Sequence, residues 1–234
     1  MERGLIVVPL GPLQSNMYII TGPSGIFVID PSVSLAKTEV FCSTIPELAG
    51  ISVGKQDVKA ILLTHGHHDH IKYIDEWIKA YPDAEVFFSS KDNELLTSEY
   101  WNCSYMEGEE AHYSFEYTDI ADKDDQVIYK DSAIEIKMYE TPGHTMGSVC
   151  FLVTLGGRRK LFTGDTVFNG SVGRTDMHGG TSKLIIKSVM RIKTFDPELQ
   201  IYPGHGPDST IEEEIRINPF FDLLSFLIIG LITI

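Results

Sequence analysis

One short segment constrains this chain more than any other: Thr-His-Gly-His-His-Asp-His at residues 64–70, directly after an apolar, strand-like run. Five of these seven side chains are able to bind a metal ion. Side chains two apart on an extended segment project to the same side, so His65 and His67 are expected to reach one ion. Where the chain turns into the following helix, Asp69 and His70 are expected to face a second position nearby.

Imidazole and carboxylate ligands without a thiolate suit zinc, and they also suit iron or manganese. A loop of solvated histidines is the alternative, and the pattern H-x-H-x-D-H at a strand end disfavours it. His68 falls outside this pattern and is expected either at the surface or behind the ligands. His112 and His178 are expected in loops that at most line a substrate entrance.

Three later motifs each place one ligand-capable residue beside a glycine. They are Pro142-Gly143-His144-Thr145, Phe162-Thr163-Gly164-Asp165-Thr166 and Tyr202-Pro203-Gly204-His205-Gly206. Glycine allows the backbone to turn sharply where a Cβ would collide. Together with the histidine cluster, and in this order, these motifs resemble the metallo-β-lactamase superfamily, over about residues 5–220.

The resemblance implies a two-metal site holding two divalent ions, with zinc favoured and iron or manganese as alternatives. It implies His65, His67 and His144 on one ion, Asp69, His70 and His205 on the other, and Asp165 between them. Two such cations acidify a shared water and polarise a carbonyl. A metal-bridging hydroxide is therefore the expected nucleophile, with Asp69 as the catalytic residue that orients it.

Within the superfamily, Gly173-Arg174-Thr175-Asp176 and Asn218-Pro219-Phe220 resemble segments of the short glyoxalase-II-like hydrolases. This likeness implies hydrolysis of a small-molecule thioester, such as an S-acylglutathione. Arg174 and Asp176 are expected to form a structural ion pair rather than to act in catalysis.

Two features depart from the glyoxalase-II-like pattern. The longer glyoxalase II enzymes bind glutathione partly through basic residues of a C-terminal domain, whereas no Lys or Arg follows Arg216 here. In addition, Lys72 and Tyr73 replace the usual pair of glycines at the start of the helix. We therefore expect one wall of the pocket to have a different shape.

Three other functions fit parts of the same sequence. A persulfide dioxygenase of this fold would use one iron bound by two histidines and an aspartate, and oxygen uptake would identify it. A β-lactamase would hydrolyse a chromogenic lactam. A metal-stabilised binding protein without catalysis is disfavoured because all seven ligand residues are present.

The net charge and the cysteine content indicate which binding partners and which cellular compartment to expect. The formal net charge of -14, from 33 acidic and 19 basic residues, disfavours nucleic acids and anionic membranes as partners. The densest basic cluster, residues 158–160, is predicted to be a solvated hairpin turn.

Three distant cysteines indicate neither a disulfide framework nor a thiolate zinc site, which favours the cytoplasm. The N-terminal apolar run is broken by Pro9 and Pro12, which is atypical of a signal peptide.

Apolar runs and turn residues predict two series of strands, each followed by a helix. Strands are predicted at 5–10, 18–20, 26–30, 60–63, 86–88, 126–129, 134–139, 149–154, 161–163 and 199–202, helices at 71–80, 184–192 and 211–217, and a helix with an irregular loop within 91–125. This order predicts an α+β fold, a four-layer αββα sandwich, in one domain over residues 1–220. The resemblance implies that this sandwich is the metallo-β-lactamase fold.

Residues 221–234 form an apolar C-terminal tail. A membrane-spanning helix requires about 20 apolar residues, so the tail is short for one. It is expected to pack against the domain or against a partner chain in a homodimer, with association with a membrane as the less favoured alternative.

Overall fold

Two six-stranded β-sheets form the centre of the computed structural model, which describes residues 4–45 and 57–222. The first sheet contains, in spatial order, β1 (Leu5–Val8), β2 (Met17–Gly22), β3 (Gly25–Ile29), β4 (Val58–Leu62), β5 (Glu85–Phe88) and β6 (Thr118–Asp119). Strands β1 to β3 form an antiparallel meander. Strands β3 to β6 run parallel to one another, so the loops after β3 and β4 leave the sheet at the same edge.

The second sheet contains, in spatial order, β14 (Ser209–Thr210), β13 (Gln200–Pro203), β10 (Arg158–Gly164), β9 (Val149–Leu155), β8 (Ile134–Glu140) and β7 (Gln126–Lys130). Strands β10 and β13 are parallel, and the other neighbours are antiparallel. A separate ribbon pairs β11 (Val167–Phe168) with β12 (Ser171–Val172).

Helices cover the outer faces of both sheets. They are α1 (Leu35–Thr44), α2 (His68–Ile71), α3 (Ile74–Ala80), α4 (Asn93–Leu96), α5 (Ser182–Ile192) and α6 (Ile211–Ile217). Trp77 of α3 packs in the core outside the first sheet, and Val189 of α5 packs in the core outside the second sheet. Phe27 and Phe151 lie in a third core between the sheets. The predicted four-layer αββα arrangement is therefore confirmed.

The predicted continuous helix over residues 71–80 is wrong. The structure divides it into α2 and α3, because the backbone at Tyr73 leaves helical geometry (φ -109°, ψ 18°) and its N–H donates to the carbonyl of Pro31 at 3.1 Å.

Helix α1 was not predicted at all. Its only buried side chains are Thr38 and Cys42, too few to produce a recognisable apolar stripe.

The predicted hairpin turn is present between β9 and β10, and Arg158 and Arg159 beside it are exposed, but the turn itself precedes residues 158–160. The turn is made by Gly156 and Gly157, both with positive φ (57° and 78°), and Arg158 begins β10. Lys160 is buried, and its Nζ lies 3.2 Å from the hydroxyl of Tyr202. Other boundaries differ by at most three residues; β1, for example, ends before Pro9.

The apolar tail lies outside the described residues from position 223 onward, while Phe221 is buried in the core outside the second sheet. No helix within residues 4–45 and 57–222 combines the length and the apolar content needed to cross a membrane.

Candidate metal centre

All seven predicted ligand residues come together at one edge of the two sheets. Residues 63–67 connect β4 to α2, and Asp69 and His70 lie within α2. His144 lies between β8 and β9, Asp165 directly follows β10, and His205 follows β13. Because β10 and β13 run parallel, Asp165 and His205 leave neighbouring strands in the same direction. Loops distant in sequence therefore supply one cluster, which we call the ligand cluster: His65, His67, Asp69, His70, His144, Asp165 and His205.

The first group within the ligand cluster consists of His65, His67 and His144. One nitrogen from each ring lies within 4.8 Å of the others. His67 Nδ1 and His144 Nε2 face each other at 2.9 Å. All three side chains are buried.

Buried hydrogen bonds orient two of these rings. Thr64 Oγ1 donates its single proton to Asp30 Oδ2 at 2.7 Å, so it accepts from His65 Nδ1 at 3.0 Å. His144 Nδ1 donates to the backbone carbonyl of Arg174 at 2.8 Å. In both rings Nε2 therefore keeps its lone pair, and His65 Nε2 is buried without a hydrogen-bond partner.

The second group consists of Asp69, His70 and His205. Asp69 Oδ2 lies 3.0 Å from His205 Nε2 and 3.6 Å from His70 Nε2. Asp165 lies between the two groups, because its Oδ1 is 3.2 Å from His70 Nε2 and its Oδ2 is 3.4 Å from His144 Nε2. One carboxylate thus faces both groups.

Asp30, which was not predicted, is the carboxylate behind the cluster. It accepts hydrogen bonds from His70 Nδ1 at 2.8 Å, from Thr64 Oγ1 at 2.7 Å and from Thr64 N at 2.8 Å. Such a partner fixes the orientation of a metal-binding histidine. The available sequence signal was its position: an acidic residue directly after the buried strand β3.

Burial and neighbouring charges drive the histidine pKa values apart. Burial is the main cause that lowers the pKa of His65 well below its usual value and that of His67 to about 3. Burial also opposes the protonation of His70, but Asp165 and Asp69 raise its pKa well above the usual value. In the absence of a cation, a proton on His70 balances part of the carboxylate charge.

The donor set fits divalent cations. Imidazole nitrogens with free lone pairs and two carboxylates converge in a buried space, where their mutual repulsion calls for positive charge. The ligand atoms are nitrogen and oxygen, which suits zinc, iron or manganese. The cluster is therefore suited to hold divalent metal.

A second buried carboxylate, Asp92, ties two ligand loops together and was also not predicted. It accepts hydrogen bonds from Gly66 N at 3.0 Å, from Gly147 N at 2.6 Å and from Thr145 Oγ1 at 2.8 Å. Burial raises the pKa of Asp92, although these hydrogen bonds act to lower it. Asp92 positions the loop of the first two histidines relative to that of His144.

Two glycines of the predicted motifs permit close approach of the backbone. A Cβ on Gly204 would collide with Asp165 Oδ1 and His70 Cε1. Gly143 has φ +142°, and a Cβ there would collide with the backbone of Ile185. The ligand loops can pack this tightly only with glycine at both positions.

A cavity of about 340 Å³ opens above the ligand cluster. Its sides, which we call the apolar wall, are formed by Leu13, Cys103, Met106, Phe168, Val172 and Met177. Arg174 lies at the rim, and its guanidinium donates two hydrogen bonds of 2.7 Å to Asp176. The predicted Arg174–Asp176 ion pair is confirmed, and the backbone of the same segment orients His144.

Lys72, predicted to reshape one wall of the pocket, contacts the segment that carries Met106. Its Nζ donates to Glu107 Oε2 at 2.9 Å and to Glu109 Oε1 at 2.5 Å. The two ion pairs tie the end of α2 to this part of the apolar wall.

The remaining histidines lie outside the ligand cluster. His68 is buried behind the ligands, not at the surface, and its Nδ1 lies 2.5 Å from the hydroxyl of Tyr113. His112 and His178 lie in loops, as predicted. His178 stacks on Trp101 with a centroid distance of 4.1 Å, next to the cavity residue Met177.

Comparison with known proteins agrees with this geometry. The family model of the metallo-beta-lactamase superfamily matches residues 10–205. The chain is 28% identical, over 201 residues, to the probable polyketide biosynthesis zinc-dependent hydrolase PksB of Bacillus subtilis, covering 84% of this chain and 76% of PksB.

Two solved structures are similar over nearly the whole chain. The crystal structure of the BLEG-1 B3 metallo-beta-lactamase is 26% identical with a TM-score of 0.78, covering 92% of this chain and 98% of that one. TTHA1623 in a di-iron-bound form is 28% identical with a TM-score of 0.71, covering 92% of this chain and 99% of that one.

Proposed function

Because the chain belongs to the metallo-beta-lactamase superfamily, we propose that this metallo-hydrolase cleaves thioesters with two divalent cations, zinc being favoured. One observation carries the proposal: the seven ligand residues converge as two groups, and Asp165 faces both. Water and the thioester are converted to a carboxylic acid and a thiol.

When bound, a pair of divalent cations supplies an acidified water and polarises the carbonyl to be attacked. His65, His67 and His144 would hold one cation, Asp69, His70 and His205 the other, and Asp165 both. Asp69 lines the cavity floor, where its carboxylate can accept a hydrogen bond from the attacking water and so orient it. Asp30 keeps Nδ1 of His70 as a donor, which directs Nε2 to the cluster.

The lining of the cavity supports a thiol as the leaving group. Apart from the ligand cluster, the described residues that line the cavity include no Lys, Tyr, Asp or Glu that could protonate a departing atom. Arg174 is held by Asp176, and burial raises the pKa of the Cys103 thiol. Because a thiol has a pKa near 8.5, its thiolate can leave without being protonated first, whereas an alkoxide or an amide anion cannot.

The first experiment measures metal content and turnover on the same protein. We expect about two metal ions per chain, cleavage of acyl thioesters, loss of cleavage with a chelator and recovery on adding Zn²⁺, Fe²⁺ or Mn²⁺. Asp69→Ala should lower kcat at least ~100-fold, since it removes the orienting carboxylate, while the exposed control Asp75→Ala retains activity. Normal turnover by Asp69→Ala would refute the role of Asp69.

The likeness to BLEG-1 makes β-lactam hydrolysis the second candidate, and a chromogenic lactam tests it on the same samples. Lactam turnover without thioester cleavage would replace our proposal. A single iron per chain, with oxygen uptake on a persulfide and no thioester cleavage, would indicate a dioxygenase instead.

A further inference from the structure

The cavity above the ligand cluster is closed on its sides by apolar and sulfur-containing side chains. We propose that the apolar wall binds the acyl chain of the substrate, so the preferred thioester carries an apolar acyl group rather than a polar one such as lactoyl. This inference rests on the proposed thioesterase function and specifies its substrate class.

The exposed apolar surface of the cavity supports the binding of an acyl chain there. Leu13 is 59% exposed and Met106 is 49% exposed, although both line a cavity beside buried metal-binding residues. Exposed apolar surface next to a functional group is typical of a ligand site. An acyl chain lying on Leu13 and Met106 would remove this surface from water.

Backbone conformation places two residues of the apolar wall at the cavity. Leu13 and Cys103 both have positive φ, 51° and 67°, which is unfavourable for residues with a Cβ. Cys103 Sγ lies 3.5 Å from Met177 Sδ, so two distant segments of the chain meet there. The fold thus maintains strained backbone at the positions that close the cavity.

Charge argues against a polar, anionic thiol such as glutathione as the group bound in the cavity. Arg174 is the single Lys or Arg among the described residues that line it, and Asp176 already holds the guanidinium through two hydrogen bonds. An uncharged chain leaves this ion pair intact.

The flexible lining suits an apolar chain of variable shape. Met106 and Met177 have flexible side chains that pack against varied apolar shapes. The two ion pairs of Lys72 hold the backbone near Met106, so the side chains can adapt while the segment stays in place. A cavity of about 340 Å³ lies at the small end of ligand sites, which suits a short or medium chain.

The test uses the metal-loaded protein and a series of thioesters of one small neutral thiol, from acetyl to octanoyl, with S-lactoylglutathione for comparison. Each added methylene should raise kcat/KM about fourfold, the equivalent of ~0.8 kcal/mol, until the cavity is filled. A kcat/KM that stays flat along the series, with thioesters still cleaved, would overturn the acyl-chain site and leave the thioesterase function intact.

Matched methionine variants locate the effect. Met106→Ser should reduce the increase in kcat/KM per methylene, because it removes apolar surface from the wall. Met146→Ser is the control, because Met146 is also exposed but does not line the cavity. Equal chain-length dependence in wild type and Met106→Ser would exclude this part of the apolar wall from the site.

A binding measurement separates the site from the chemistry. Calorimetry with non-hydrolysable alkyl thioethers and the metal-loaded protein should show affinity that increases with chain length, with a negative heat-capacity change from apolar burial. Increasing affinity without any thioester cleavage would support the apolar site and refute the proposed reaction. Affinity independent of chain length would refute the apolar site.

Discussion

The floor and the wall of the cavity are built in opposite ways. The ligand cluster forms the floor, and six of its seven members are buried. The rings of His70 and His144 are oriented by hydrogen bonds that they donate to partners far away in sequence. The apolar wall is partly exposed, and flexible side chains form much of it. Its anchorage through Lys72 consists of ion pairs near the surface.

This difference separates rigid chemistry from adaptable recognition. Metal ligands must keep a fixed geometry, so buried partners such as Asp30 hold their rings. Recognition of an apolar group requires area and tolerance of shape. Mutations in the floor should therefore affect metal binding and stability strongly, and mutations in the wall should change specificity with little loss of stability.

The largest effect is expected for Asp30→Ala. It leaves Thr64 and His70 without their acceptor in the core, and removing one partner of a buried ionic pair costs about 3–5 kcal/mol. Metal affinity should fall about 10- to 100-fold. Denaturant unfolding and competition with a chelator measure the two effects.

Asp196→Ala is the control for Asp30→Ala, because Asp196 is also ion-paired, with Arg159 at 2.6 Å, but both side chains are exposed. This variant should cost less than about 1 kcal/mol and leave metal affinity unchanged. Equal losses in the two variants would contradict the distinction between the floor and the surface.

The metal-free protein should lose about 3 kcal/mol of unfolding free energy between pH 7 and pH 5. His65 and His67 have folded pKa values below their unfolded value of about 6.5, so below that pH the unfolded chain binds more protons and stability falls with the pH. His70 has a raised pKa; its contribution is complete below pH 6.5 and is lost as the pH rises through its folded pKa.

Denaturant titrations of chelator-treated protein at several pH values test this expectation. His67→Gln should show a shallower fall toward pH 5, because one of the two buried neutral histidines is gone. Stability that stays constant from pH 7 to pH 5 in the metal-free protein would contradict the buried, neutral state of these two rings.

Gly204→Ala is expected to cost about 1–3 kcal/mol and to lower the metal content, because its Cβ collides with Asp165 and His70 in the floor. Gly108, beside the wall, is the matched control: it has φ +75°, but a Cβ there meets nothing within 4 Å. Gly108→Ala should cost about 1 kcal/mol through its backbone alone and retain full metal content. Metal analysis and thermal unfolding of both variants distinguish collision from conformational strain.

The smallest effect on stability is expected for Lys72→Met. Loss of the ion pairs with Glu107 and Glu109 should cost less than about 1 kcal/mol. Looser anchorage of the wall should raise KM for the longest acyl thioesters about threefold and leave kcat unchanged. Added salt screens the ion pairs, so it should raise the KM of the wild type toward that of the variant. A fall in kcat would instead indicate that Lys72 acts in the reaction.

Local patterns pointed to the histidine cluster at residues 64–70, and the resemblance of the later motifs to a known family implied the remaining ligand residues. Each motif places a metal-binding side chain beside a turn-forming glycine at the end of an apolar strand, and these are properties of a few neighbouring residues. The alternation of strands and helices likewise predicted the four-layer fold, because burial on one face leaves a period in the sequence. Helix α1 was not predicted because it buries too little apolar surface to leave such a period in the sequence.

Tertiary structure decided which groups orient those ligands and what covers them. Asp30 meets His70 across 40 positions of sequence, and Asp92 meets Gly147 across 55. The apolar wall joins Leu13, Met106 and Met177 from three distant segments. A lone aspartate or methionine in a sequence has no local pattern that reveals its partner, since only the pairing of strands and the packing of loops bring the two together.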